Sequence, residues 1–450
     1  MDVNNQNNQR EQWGSKLGFL LAAAGSAVGL GNLWKFPYMA GQNGGGAFVL
    51  VYFVMLILVG FTLMTGELII GRYTQLNAIG AYRKIDKKLT WVGALGVLAA
   101  FLILSFYSVV GGWVISYVVK TVTGGLATSD TEALGSIFGQ LVSGTVEPIV
   151  YHGIFMIITL TIVYGGISGG IEKASKIMMP ALFIMIIALA IRSLTLPGAG
   201  AGVKFLLYPD FSKITIEVIL NALGQVFFSL SLGMGIIITY GSYLGKSENI
   251  PQSAVFIPLV DTAVALLAGL AILPAVFALG FEPTQGPGLM FVTLPAVFSK
   301  MPLGTFFALI FFLLVLVAAL TSSISLLEVC VSYVVDEWKW NRKTATGILA
   351  LVIFLVGIPA SLSNGPWADI TLIKGKGFFD TYDFIASNIF LPIGGLMSSI
   401  VIGWLWGLDK ALKEATNDGK IQFVMAPVWS FLIKYVAPVA ILIVFIRSVM

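Results

Sequence analysis

Apolar runs recur along the chain at about 17–39, 47–70, 90–119, 148–164, 174–196, 218–244, 253–280, 303–335, 344–362, 382–406 and 427–447. A membrane-crossing helix needs roughly 20 apolar residues, so eleven spans are expected. The runs at 148–164 and 344–362 are short, and the last contains Lys434, so its limits are soft. The pattern predicts an all-α polytopic membrane protein. The long connections 123–146 and 281–302 carry Gly, Pro, Thr and acidic residues and read as structured caps over a vestibule. No shift in composition marks a second domain.

Composition sharpens this picture by exclusion. Only 11% of the residues are charged and 57% are hydrophobic, where a soluble domain carries about 25% charged residues. A soluble enzyme, a secreted disulfide scaffold and a disordered chain are all excluded. The net charge of +4 is a matter of topology rather than of nucleic-acid binding. Most of the basic residues, densest at Arg72, Arg83, Lys84, Lys87 and Lys88, fall in loops on the side of the N-terminus. By the positive-inside rule the N-terminus is cytoplasmic and the C-terminus external, in the plasma (cytoplasmic) membrane. The polar start MDVNNQNNQREQWGSK precedes a full-length apolar run and reads as the lead into a retained anchor. One cysteine (Cys330) and one histidine (His152) supply neither a disulfide nor a zinc site nor a Cys/His pair.

Two spans are interrupted. The first, GFLLAAAGSAVGLGNLWKFPY, holds Gly25, Gly29, Gly31 and Asn32 in its middle. The sixth, NALGQVFFSLSLGMGIIITYGSY, holds Ser229, Ser231, Gly233 and Gly235. Mid-span glycines in one helix alone would read as a close-packing surface. Interruptions with clustered polar side chains in spans 1 and 6 point instead to opened backbone around a mid-membrane site, the pattern of an inverted-repeat carrier. Spans 1–5 and 6–10 have five members each, so the second set starts from the opposite side. Opened carbonyls suit a hard cation, and half-helix N-termini suit a carboxylate.

The runs GSAVGLGNLWKFPYMAGQNGGGAFVLVY, GELIIGRY, GQVFFSLSLGMG and LTSSIS together resemble the neurotransmitter:sodium symporter family over nearly the whole chain, in order. The length is that of bacterial eleven-helix amino acid transporters. The resemblance implies a LeuT-like 5+5 inverted repeat with discontinuous helices 1 and 6. Repeat 1 would cover about 10–196, repeat 2 about 217–406, and an additional helix about 425–447. It implies one sodium site built from Ala27, Asn32, Ser229, Asp261 and the substrate carboxylate. A second would use Gly25, Val28, Ala318, Thr321 and Ser322. Oxygen ligands of this kind suit small hard cations. Substrate positions fall on Ala27, Ile103, Tyr107, Phe228, Ser231, Met234, Ser322 and Leu326. The substrate expected is a hydrophobic L-amino acid; no obligate protein partner is inferred.

Two absences refine that expectation. Amine-transporting relatives carry an aspartate where this chain has Gly29, so the substrate must bring its own carboxylate. Chloride-dependent relatives carry a serine at the position of Ala265, and this chain has Asp261 one turn away; a chloride-independent carrier is expected. No lysine or arginine lies in that span to pair with Asp261, and an intramembrane carboxylate is a functional candidate in its own right. Glu67, by resemblance, accepts hydrogen bonds from the opened backbone of helix 6. Glu328 inherits no role. Lining of an inner aqueous path, proton handling and a structural carboxylate all stay open for it.

The outer gate implied is Lys35 with Asp383, above a lid of Tyr107 and Phe228. The inner gate is Arg10 with Asp336, with Trp13 beneath. In helix 5, Gly170 and Pro180 bracket GIEKASKIMMP, a stretch expected to unwind and admit water to the second sodium site. Alanine at both positions should slow sodium release. A proton-coupled carrier of the same architecture is the main alternative, although span 5 carries no lysine between Ile177 and Ile191. An intramembrane aspartyl-type enzyme and a channel are remoter readings.

Overall fold

The structure is a computed structural model, and it describes residues 10–282 and 286–449. The polar start before Arg10 therefore lies outside the described residues. Helix 1 runs as two halves, Lys16–Ala27 and Gly31–Gln42, bent by 48°. Helices 2 to 5 are Gly46–Thr74, Lys87–Val122, Val146–Tyr164 and Ile167–Leu194. Helix 6 is again two pieces, Ile216–Ser229 and Ile236–Gly241, joined by non-helical backbone. Helices 7 to 11 are Ile250–Ala278, Gly304–Trp338, Arg342–Leu362, Phe378–Trp406 and Ala426–Val449. Among the described residues nine unbroken helices are long and apolar enough to cross a membrane, ten with the bent first pair. The interrupted helix 6 completes the eleven read from the sequence.

Polar side chains at the helix starts explain several boundaries. Ser15, Asn249 and Asn341 each accept from a backbone N–H in the first turn of helices 1, 7 and 9, satisfying donors that a helix start otherwise leaves unpaired. Helix 5 begins seven residues before the run at 174–196. The stretch Ile167–Glu172 is wound as a wide π-type turn, which its two glycines and terminal charge had disguised. The two long connections are helical: Thr131–Ser143 in one, Leu289–Ser299 in the other. Phe138 and Phe291 stack at 4.8 Å, joining them over Trp113 of helix 3.

The helices sort into centre and rim. Two thirds (67%) of the most apolar window of helix 8 is buried, against 28% of that of helix 11. Helix 8 thus packs on protein along most of its length, and helix 11 faces outward. Glycine permits the closest approaches. A Cβ at Gly71 of helix 2 would lie 2.2 Å from the carbonyl of Ile238, and one at Gly112 of helix 3 would lie 2.6 Å from His152 N. Between apolar helices in lipid, such backbone contact is a main source of association.

Candidate functional site

The break in helix 1 falls at Val28–Leu30, and that in helix 6 at Leu230–Gly235. Ser231, Gly233 and Gly235 all have left-handed φ, at 56°, 76° and 75°. Gly233 has no alternative: a Cβ there would sit 2.4 Å from the carbonyl of Leu391 in helix 10. Its freed N–H donates to Glu67 Oε1 of helix 2 at 2.9 Å, and the Ser398 hydroxyl adds a 3.3 Å bond to the same oxygen. The carboxylate of Glu67 thus takes up a peptide group that the break released from its helix.

The two breaks face one another across a small cavity of about 30 Å³. Ala27, Ile103, Tyr107, Phe228, Ser231, Met234, Ser322 and Leu326 all line it. Its polar wall is a serine seam. The Ser26 carbonyl accepts from both Ser231 and Ser322 at 3.1 Å, and the Ser26 and Ser325 hydroxyls meet at 2.6 Å. Ser26 and Ser325 were not singled out by sequence. Their signal was weak, because serine on an apolar helix ordinarily bonds back to its own backbone. Beside Ser322, Tyr107 OH accepts from Leu30 N at 3.3 Å. A Cβ at Gly29 would lie 2.4 Å from Ser322 Oγ, so no aspartate fits there without rearrangement.

Beside this cavity lies Asp261, completely buried. Asn32 Nδ2 donates to Asp261 Oδ1 at 2.8 Å, Ser229 Oγ donates at 2.9 Å, and Tyr52 OH reaches Oδ2 at 3.2 Å. Asn32 Oδ1 accepts from Gly29 N at 3.1 Å, tying the group to the break in helix 1. Ala27 lines the cavity next to it. Among the described residues Asp261 has no cationic partner within 4.0 Å. Tyr52 is a member of this group that sequence reasoning missed; 209 residues separate it from Asp261.

A second oxygen-rich group gathers where helix 8 crosses the break. Thr321 Oγ1 donates to the carbonyls of Val28 (3.2 Å) and Ala318 (2.9 Å). A Cβ at Gly25 would lie 3.3 Å from Thr321 Cβ and 3.1 Å from Met179 Sδ. Gly25, Val28, Ala318 and Thr321 therefore adjoin one another. Ser322 differs: its hydroxyl turns to Ser26 and to the cavity.

The proposed gates stand in different states. Arg10 Nη1 meets Asp336 Oδ2 at 2.5 Å and Arg10 Nη2 donates to Ser242 Oγ at 2.7 Å, while Trp13 Nε1 donates to the Tyr240 carbonyl at 3.1 Å. Lys35 and Asp383 are not ion-paired. The Lys35 ammonium lies over the Phe228 ring at 4.6 Å, and Asp383 accepts from Ser387 at 2.7 Å. Both line a cavity of about 350 Å³. Tyr107 and Phe228 line both this cavity and the central one, so they lie between the two. Glu328 is buried, bonded to Arg342 of helix 9 and to Tyr243 OH (2.6 Å). Helix 5 is wound through Pro180. Gly170 is a packing position, with Ile162 O only 2.1 Å from a Cβ placed there.

The profile of the sodium:neurotransmitter symporter family matches residues 10–134 and 143–450. An uncharacterized sodium-dependent transporter of Bacillus subtilis is 47% identical over 440 residues, 97% of each chain. One of Haemophilus influenzae is 41% identical over 98% of this chain and 99% of its own. The crystal structure of MhsT in complex with L-phenylalanine superimposes with a TM-score of 0.90 at 46% identity, covering 98% of this chain and 100% of that one. The chain belongs to the sodium:neurotransmitter symporter family: a multi-pass membrane protein of LeuT-like fold that acts as a sodium-dependent transporter, and not as an enzyme.

Proposed function

We propose that this protein is a symporter that moves hydrophobic L-amino acids, aliphatic and aromatic, with two sodium ions and without chloride. The observation that carries the reading is Asp261. A fully buried carboxylate with three neutral donors and, among the described residues, no cationic partner is costly unless a cation joins it. Sodium beside Asp261, Asn32, Ser229 and the Ala27 carbonyl supplies that cation, and the substrate carboxylate completes the shell. Since Asp261 already brings a negative charge, no chloride is needed. The second ion takes Gly25, Val28, Ala318, Thr321 and Ser322. The neutral Met179 faces Gly25 from helix 5, so no fixed charge substitutes for sodium there. This favours sodium over proton coupling.

Substrate class follows from the cavity walls. Ile103, Met234 and Leu326 give the side chain an apolar slot, and the polar atoms gather at the breaks. Met234 is flexible enough to tolerate several side-chain shapes. The excluded Cβ at Gly29 leaves no room for a protein carboxylate in place of the substrate's own. The bound phenylalanine of the MhsT complex is of the same class.

Transport follows by alternating access. In this reading the Arg10 end is cytoplasmic and the C-terminus external. Residues about 10–196 and 217–406 form the two repeats, with 425–447 added. Arg10–Asp336 closes the inner side while Lys35 and Asp383 stand apart. The test is uptake of labelled phenylalanine, leucine and γ-aminobutyrate into proteoliposomes under an inward sodium gradient, with chloride or gluconate, against choline. Sodium-driven uptake of the first two in either anion is expected. Uptake in choline under a proton gradient, or a chloride requirement, contradicts the proposal.

A further inference from the structure

The starts of helices 1 and 5 are each completed by an acid carried by the other. Glu172, in the first turns of helix 5, accepts from Gly14 N at 2.7 Å and from the Ser15 hydroxyl at 2.8 Å, just before helix 1 begins. In return Glu11, in the segment leading to helix 1, accepts from Ile167 N at 2.8 Å. Ile167 opens helix 5, where the backbone N–H has no partner within its own helix. Each carboxylate also suits the positive end of the helix it meets. Lys176 adds a 2.7 Å bond to Glu172 from one turn below, and Arg342 stands 3.8 Å from Glu11.

The joint sits at one end of a tight seam. A Cβ at Gly18 would lie 2.2 Å from Glu172 Cδ, and one at Gly25 would lie 3.1 Å from Met179 Sδ. Both partners step by seven residues, so helices 1 and 5 run alongside each other for two turns. One end of the seam is the pair of exchanged acids. The other is the oxygen group of Val28, Ala318 and Thr321.

We propose that Glu11 and Glu172 form a reciprocal clasp that makes two events one: undocking of the segment Arg10–Ser15 and unwinding of the first turns of helix 5. Opening either side strips the other of its acceptor, so neither half is stable alone. The clasp holds the seam shut over the second sodium group; this consequence rests on the ion assignment proposed above. Both acids are positioning residues, since neither touches the ion group.

The test uses the purified full-length protein with Cys330→Ser and a reporter thiol at Met179→Cys. Ser175→Cys, one turn nearer the clasp, serves as a second reporter. The rate of labelling by a water-soluble thiol reagent is compared for Glu11→Ala, Glu172→Ala and the double variant. Each single change should raise the rate by roughly five- to tenfold, and the double should add little beyond the larger single effect, because coupled sites are not additive. Glu172→Gln, which keeps an acceptor oxygen, should fall in between. Multiplying effects, or rates unchanged at both reporters, overturn the clasp. Sodium against choline is the separate arm. Labelling indifferent to sodium in the parent protein would remove the ion assignment and leave the clasp, which is read from the non-additivity alone.

Discussion

The two ends of the molecule are built from similar residues in opposite arrangements. At the Arg10 end, three charge pairs are largely dry. Arg10 meets Asp336, which also accepts from Asn77 N at 2.9 Å. Glu328 meets Arg342, and the fully buried Arg72 is held by Glu414 and the Glu248 carbonyl. At the Lys35 end, the cation rests on an aromatic face and its acid turns to a serine. A cavity of about 350 Å³ is lined by both, and another of about 500 Å³ opens beside Lys35. A charge pair held together at one end and apart at the other is what a two-state carrier displays when one side is sealed.

The largest change should come from breaking the sealed end. Asp336→Ala leaves Arg10 and two donors of Asn77 without their acceptor. Losing one partner of a largely buried pair costs on the order of 3 kcal/mol. Sodium-driven uptake should fall by more than tenfold while phenylalanine still binds, and labelling at Met179→Cys should rise. Retained uptake would place the seal elsewhere. Next comes the pivot between the ends. Glu67→Ala strands the Gly233 N–H beside a fixed left-handed turn, a penalty of about 1–3 kcal/mol. Uptake should be lost and thermal stability reduced, with Glu67→Gln restoring part of both.

At the open end effects should be smaller. Asp383→Asn removes a charge that has no ion partner among the described residues, so stability should move by less than about 0.5 kcal/mol. Uptake should fall by only a few-fold through slower outer closure. An Asp383→Asn protein as unstable as Asp336→Ala would erase the contrast between the ends. Smallest of all is Gly169→Ala, since nothing lies within 4 Å of a Cβ there; melting temperature and uptake should stay at parental values. Gly170→Ala is a poor probe of unwinding, because the new methyl would collide with the Ile162 carbonyl.

The fold was legible because each span repeats one simple signal, and the two breaks announced themselves through clustered Gly, Ser and Asn. The start of helix 5 lay outside the apolar run at 174–196 because Ile167–Glu172, rich in glycine and ending in a charge, carries little apolar signal until Glu11 and the N-terminal segment complete it. Side chains such as Tyr52, Ser26 and Gln225 escaped notice for a related reason. Gln225 Nε2 donates to the Gly31 carbonyl at 2.9 Å across 194 residues of chain, and no local spacing encodes such a contact. Whether Lys35 and Asp383 touch depends on the conformation, which a sequence shared by both states does not specify.

The central claim is that Asp261 makes sodium, and no anion, a condition of substrate binding. The direct measurement is equilibrium binding of labelled L-phenylalanine to purified parent and Asp261→Asn proteins, across sodium concentrations, in chloride and in gluconate. The account predicts binding by the parent only with sodium and equally in both anions, with the sodium requirement of Asp261→Asn shifted at least tenfold higher. Phenylalanine binding by the parent in choline, or a sodium requirement untouched by Asp261→Asn, would contradict it.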